Sequence, residues 1–384
     1  MQSEQYKKPK LLYINYLRAF AILLVVAGHT LLWGKYGTTI RLTNLYLFKG
    51  GTLLFVFIAG FLFQYLAYKF EYKKYLITKF KNVILPYWIT MIPVAIIFAV
   101  RLHNPEHFLV NYPPIARFLN VMCVGQIING PLWFVPMITV FFLFAPVLLK
   151  LKKYKILWIS ILICSFITTI ILSRPSFEFG FVHYEGGGLL KWYFGYIVYI
   201  FKSFLYFLSA YIIGMYSCEI FEKHYDWIKS NIKQLTAIAF ICFVYFGYLF
   251  VFVIKTSSYQ MNISRFTLTF LMMFIFIMFE QQILKHKFLD KCLNILADYS
   301  FGIFFIHMYF INLMSTGRLF RSSYCYWFKP LLTTTSFKAC MFCVSEFLAA
   351  VVGSILILYI VEIILTKLGI KNTRMFTGVA VSKK

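Results

Sequence analysis

The sequence predicts an all-α, polytopic integral membrane protein with about ten transmembrane helices, and three observations carry that reading. Of 384 residues, 61% are apolar and only 13% charged, about half the charged share of an ordinary water-soluble domain. The mean hydropathy is +0.76. The apolar residues also gather into runs of about 20, the length a helix needs to cross a hydrocarbon core of ~30 Å.

In chain order the runs lie near 11–33, 46–68, 83–100, 132–149, 156–173, 192–215, 234–254, 265–284, 293–314 and 341–366. The first follows a basic lead (Lys7, Lys8, Lys10) and outlasts the apolar core of a signal peptide, so it is expected to be retained as a helix. Basic segments then punctuate every second gap: Lys69 to Lys81, Lys150 to Lys155, Lys223 to Lys233, Lys285 to Lys291, and Lys367 onward. The other gaps include longer loops at 101–131, 174–191 and 315–340, rich in Tyr, Trp, Asn, Gly and Pro. Since Lys- and Arg-rich loops stay in the cytoplasm, about 23 basic residues on the N-terminal side against about 13 on the other put both termini inside. Connecting segments are short and lack a Ser/Pro-rich linker, so residues 1–384 read as one integral-membrane domain.

The net charge of +25 would suggest nucleic acid in a soluble chain, but here the basic residues sit in loops that face anionic lipid headgroups, and no nucleic-acid partner is expected. Eight Cys form no framework; Cys164, Cys218, Cys242 and Cys292 lie in or at the ends of apolar runs, although a disulfide among Cys325, Cys340 and Cys343 stays open. No helical HxxxH or HxH pair occurs, and no metal is expected.

Ionisable side chains inside a membrane are costly, an Arg at mid-helix by about 2.5–3.5 kcal/mol, and the first run holds two, Arg18 and His29. Eleven steps at about 100° return nearly to the same direction, so both project from one helix face, about 16 Å apart along the axis. A cation below and an imidazole above describe a lined passage. Snorkelling of Arg18 and interhelical bonding by His29 are the structural alternatives.

An Arg and a His separated by ten residues in a first membrane helix resembles the signature of acyltransferase family 3, bacterial membrane O-acyltransferases that modify cell-surface glycans. Phe55 to Phe63, FVFIAGFLF, is similar to the family's FFxxSGFLx segment, with Ala59 in place of Ser. Lys79 to Trp88, KFKNVILPYW, is similar to its basic cluster and Pro-aromatic pair, with Asn82 where an Arg is common. Pro131 to Pro136, PLWFVP, and Tyr299 to His307, YSFGIFFIH, are similar to two further elements.

The resemblance implies transfer of an acyl group, most often acetyl, from cytoplasmic acyl-CoA to a hydroxyl of a cell-surface or lipid-linked glycan, in the bacterial cytoplasmic membrane. His29 and Arg18 are the expected catalytic pair: a neutral imidazole is poised to take a proton near pH 7, and a fixed cation orients the donor or developing negative charge. Arg18, Lys79 and Lys81 are the expected donor-binding cations. Trp133, His307 and Glu346 are the expected substrate- or channel-lining residues. His183 and Glu185 sit in a Gly-rich outer loop, and Glu280 and Glu362 read as neighbours of Lys285, Lys287 and Lys367. The competing reading is a transporter or flippase for a lipid-linked glycan, which would also need about ten spans and intramembrane charge.

Overall fold

The computed structural model describes residues 11–31, 38–101, 109–124, 130–171, 188–255, 258–316 and 336–380. The helices are α1 (Leu12–Thr30), α2 (Thr38–Phe48), α3 (Gly51–Tyr65), α4 (Tyr72–Lys79), α5 (Leu85–Arg101), α6 (Pro114–Val124), α7 (Phe134–Lys152) and α8 (Lys155–Ile171). They continue as α9 (Gly188–Ser230), α10 (Ile232–Tyr248), α11 (Ser258–Met278), α12 (Glu280–Lys285), α13 (Lys287–Thr316), α14 (Ser336–Lys367) and α15 (Arg374–Thr377). No strand occurs among the described residues. Lipid supplies no partner for a backbone N–H or C=O, so apolar runs of this length close their hydrogen bonds within the helix.

Each predicted run coincides with a helix, but among the described residues only eight helices are long and apolar enough to cross a membrane. The other two runs coincide with the apolar stretches Lys155–Ile170 and Asn262–Met278, which lie within α8 and α11. Two boundaries also move. The run predicted at 46–68 is broken at Gly50, which adopts φ +105° between α2 and α3. The run at 192–215 belongs to α9, which continues to Ser230 past a kink at His224. Phe221 and Ile228 stay buried there, so an inward apolar stripe carries the helix on after the lipid-compatible stretch ends.

Burial ranks the helices. Protein covers 67% of the α1 span but only 17% of the span formed by α10 and the π turn Leu249–Ile254. The first is the centre of the bundle, packed by α3, α11, α13 and α14; the second turns Ile238, Ile241, Tyr245 and Phe252 outward to lipid. α3 and α9 cross most closely. A Cβ on Gly60 would lie 2.0 Å from the carbonyl oxygen of Tyr211, and one on Gly214 would lie 2.2 Å from that of Phe57. The glycine of the FVFIAGFLF segment is thus a packing residue that lets two backbones touch.

Two arginines at the ends of helices explain part of the positive charge predicted outside. Arg265, fully buried on α11, donates to the carbonyls of Leu45 (2.9 Å) and Tyr46, at the end of α2. Arg117 on α6 donates to the carbonyls of Val110 (2.6 Å), Tyr112 (2.8 Å), Leu109 (3.1 Å) and, at the end of α5, Ala99 (3.2 Å). Cations fit there because the last carbonyls of a helix lack intrahelical donors and carry the negative end of its dipole. Cys340 is a free thiol on α14, the helix that also carries Cys343. Cys325, His183, Glu185 and the basic lead at Lys7, Lys8 and Lys10 lie outside the described residues.

Candidate active site

α1 and α13 run side by side in the same direction and meet at two polar levels. At the lower level, α13 presents Asp290, Asn294 and Asp298 at intervals of four residues, which places them along one helix face. Tyr16 donates to Asp290 Oδ1 (2.6 Å), and Asn15 Nδ2 donates to Asn294 Oδ1 (2.7 Å). Arg18 Nη2 reaches Asn15 Oδ1 at 3.0 Å and Asp298 Oδ1 at 3.4 Å. That last distance exceeds the 2.7–2.9 Å of a tight charge-assisted bond. The pair is loose, its side chains still 19% and 20% exposed, and Arg18 Nε is buried without a hydrogen-bond partner.

Two further cations reach this level. Lys79 closes α4, its ammonium 5.2 Å from the Tyr75 ring centroid and 4.9 Å from that of Phe142. Such cation–π contacts hold a charge in an apolar wall. After it, Pro86 has no N–H for the carbonyl of Asn82, and the helix widens into a π turn at Phe80–Ile84. The other cation is Arg374 on α15, whose charge interacts with those of Asp298, Arg18 and Lys79. Burial pushes the Arg374 pKa down, and Asp298 opposes that shift. Lys81, by contrast, is exposed. Two residues along a helix turn a side chain by about 200°, so Lys79 and Lys81 cannot share a direction.

At the upper level, His29 is exposed on the last turn of α1, and its ring centroid lies 5.6 Å from that of His307 on α13. His307 is fully buried, with Nδ1 2.9 Å from the Ile303 carbonyl oxygen. A carbonyl only accepts, so Nδ1 carries the proton and Nε2 keeps its lone pair in the neutral ring. That Nε2 is buried with no hydrogen-bond partner. Behind it, Phe304 contacts His307 (6.2 Å between centroids) and Phe134 (5.3 Å); Phe134 contacts Trp133, which stacks on Phe207. Trp133 therefore supports the histidine pair through two intervening rings. Glu346 is buried on α14, which packs against both α1 and α13, and its Oε1 has no hydrogen-bond partner. Between the levels α1 presents Ile22 and Val25 on the shared face, both buried, so the wall joining Arg18 to His29 is apolar.

Of the residues singled out in the sequence, the structure thus sets His29 against His307 on α13 and brings Arg18 and Lys79 each into interaction with Arg374. It leaves Lys81 apart. Sequence reasoning passed over Asp298 and Arg374. Asp298 carried a usable signal, a lone carboxylate inside a predicted span. Arg374 carried none, since it lies beyond the last span among other basic residues. Glu362 accepts from Tyr299 (2.6 Å) and takes no part in an ion pair with Lys367 among the described contacts.

These features define a multi-pass helical membrane protein with a cationic cluster and an imidazole pair stacked along two parallel helices. Residues 11–364 match the family model described as an acyltransferase domain, and the chain belongs to that family, acyltransferase family 3. It is a membrane acyltransferase. No curated protein and no solved structure matches the chain.

Proposed function

We propose that this protein transfers an acyl group, most simply acetyl, from acyl-CoA on the cytoplasmic side to a hydroxyl of a cell-surface or lipid-linked glycan. The observation that supports this reading best is that one helix, α13, meets both Arg18 and His29, with cations gathered at one level and imidazoles at the other. In this reading the nucleotide end of the donor sits among Arg18 and Lys79, and the pantetheine arm follows the apolar wall past Ile22 and Val25. An alcohol then approaches His29 from the opposite side.

His29 takes the proton from the acceptor hydroxyl as its oxygen attacks the thioester carbonyl. The tetrahedral oxyanion collapses, the C–S bond breaks, and the proton passes from His29 to the departing sulfur. The products are an ester and free CoA. His307, with its Nδ1 proton committed to Ile303, offers Nε2 as an acceptor that orients the neighbouring imidazole. Arg18 steadies the donor, where a fixed cation in a dry site acts strongly.

Membranes containing the protein, incubated with acetyl-CoA labelled in the acetyl group, should deliver label to polymer or glycolipid. His29→Ala should lower that rate by about 10²–10⁴-fold at unchanged protein level. Transfer at the wild-type rate by His29→Ala would remove the assignment. Movement of unlabelled glycan across the bilayer with no transfer of label would favour the transporter.

A further inference from the structure

We infer that Arg374, carried by the C-terminal segment, is the third cation of an anion subsite with Arg18 and Lys79, and that this subsite takes phosphate groups at the nucleotide end of the donor. The assignment deepens the donor reading above and rests on it.

The C-terminal segment is built into the bundle. The Ala380 N–H donates to the Asp298 carbonyl (2.9 Å), Val379 is 1% exposed, and Thr377 is buried. Gly378 takes φ +70°, and a Cβ there would stand 2.9 Å from the Phe305 ring. The fit is reciprocal, since a Cβ on Gly302 of α13 would stand 2.8 Å from the Thr377 carbonyl oxygen. α15 packs on α5 and on the π turn Phe80–Ile84, immediately after Lys79. A tail tied down this closely holds Arg374 in a fixed place.

Charge at that place is unbalanced. Arg18 and Arg374 both interact with Asp298, whose contact with Arg18 is long, and Lys79 interacts with Arg374. The nearby Glu362 accepts from Tyr299 and Thr373 through one oxygen, while its Oε1 is buried without a hydrogen-bond partner, so this second carboxylate leaves the cluster with a net positive charge. Arg18 Nε and Arg374 Nε are both buried without hydrogen-bond partners, which leaves N–H donors from two guanidinium groups beside one ammonium. Planar guanidinium forks plus a point charge match a phosphate, whose oxygens point in several directions and carry more than one negative charge.

The test uses the full-length protein in nanodiscs of zwitterionic lipid, with CoA itself as the probe in calorimetric titrations. Arg374→Gln should weaken CoA binding about tenfold or more, and Arg374→Lys should fall between it and wild type. If Arg18→Gln weakens binding while Arg374→Gln binds as wild type does, the assignment is overturned and the donor reading stands. No CoA binding by the wild type would remove the donor reading first. Should Arg374→Gln not fold, Arg374→Lys decides, because it keeps charge and stem and loses only the fork; wild-type affinity would overturn the proposal. Phosphatidylglycerol that competes with CoA in the wild type and not in Arg374→Lys would reassign the subsite to a lipid headgroup.

Discussion

His29 and His307 stand within ring contact, yet the protein exposes one and encloses the other. The enclosed ring has its tautomer fixed by a backbone carbonyl, which makes it a positioning group rather than a second base. His307→Gln should therefore lower kcat for acyl transfer by about 10²-fold, with a much smaller change in KM for the donor, in steady-state assays on reconstituted protein. Asp298 poses the opposite problem, one carboxylate facing two guanidinium groups. Asp298→Asn should destabilise the fold by about 1.5–3 kcal/mol, read as a lower thermal unfolding midpoint, because a charged partner is lost. The same change should lower KM for acyl-CoA, since the cations then face the donor with no competing carboxylate. A variant with raised KM would show that Asp298 is needed to hold Arg18 in place.

At the scale of elements, the contact between α3 and α9 depends on the absence of two side chains. Gly60→Ala and Gly214→Ala should each cost about 1–3 kcal/mol in thermal unfolding of the detergent-solubilised protein. Their double mutant should fall short of the sum, because the first Cβ already forces the crossing apart. Additive costs would mean that the helices adjust locally. The apolar helices were legible in the sequence because a run of apolar residues in lipid has no alternative to helix, although among the described residues eight of them, not ten, are long and apolar enough to cross a membrane. The break at Gly50 was not, because it depends on Arg265, distant in sequence, reaching the carbonyls that end α2. Likewise the turning of Lys79 toward Tyr75 and Phe142 required their partner helices in place.

At the scale of the whole molecule, the proposed orientation puts α6 outside. Cys123 on that helix is exposed, and burial around its sulfur raises the thiol pKa. The thiolate is the reactive form, so a membrane-impermeant maleimide added to intact cells should label Cys123 slowly at neutral pH. The rate should keep climbing as pH passes the ordinary thiol value of about 8.5. Labelling only after the membrane is breached would reverse the orientation. In the proposed orientation Arg18, Lys79, Asp298 and Arg374 all fall on the inner side, and His29, His307 and Glu346 on the outer side.

The sequence by itself determined the membrane class, the helix positions and the one-face pairing of Arg18 with His29, because these follow from local composition and from 100° per residue. Only the tertiary structure decided which charges meet. Asp298 and Arg374 become partners of Arg18 through contacts between segments some 280 and 356 residues away. No local periodicity encodes such a meeting, for it depends on which helix the central one packs against and where the tail is held.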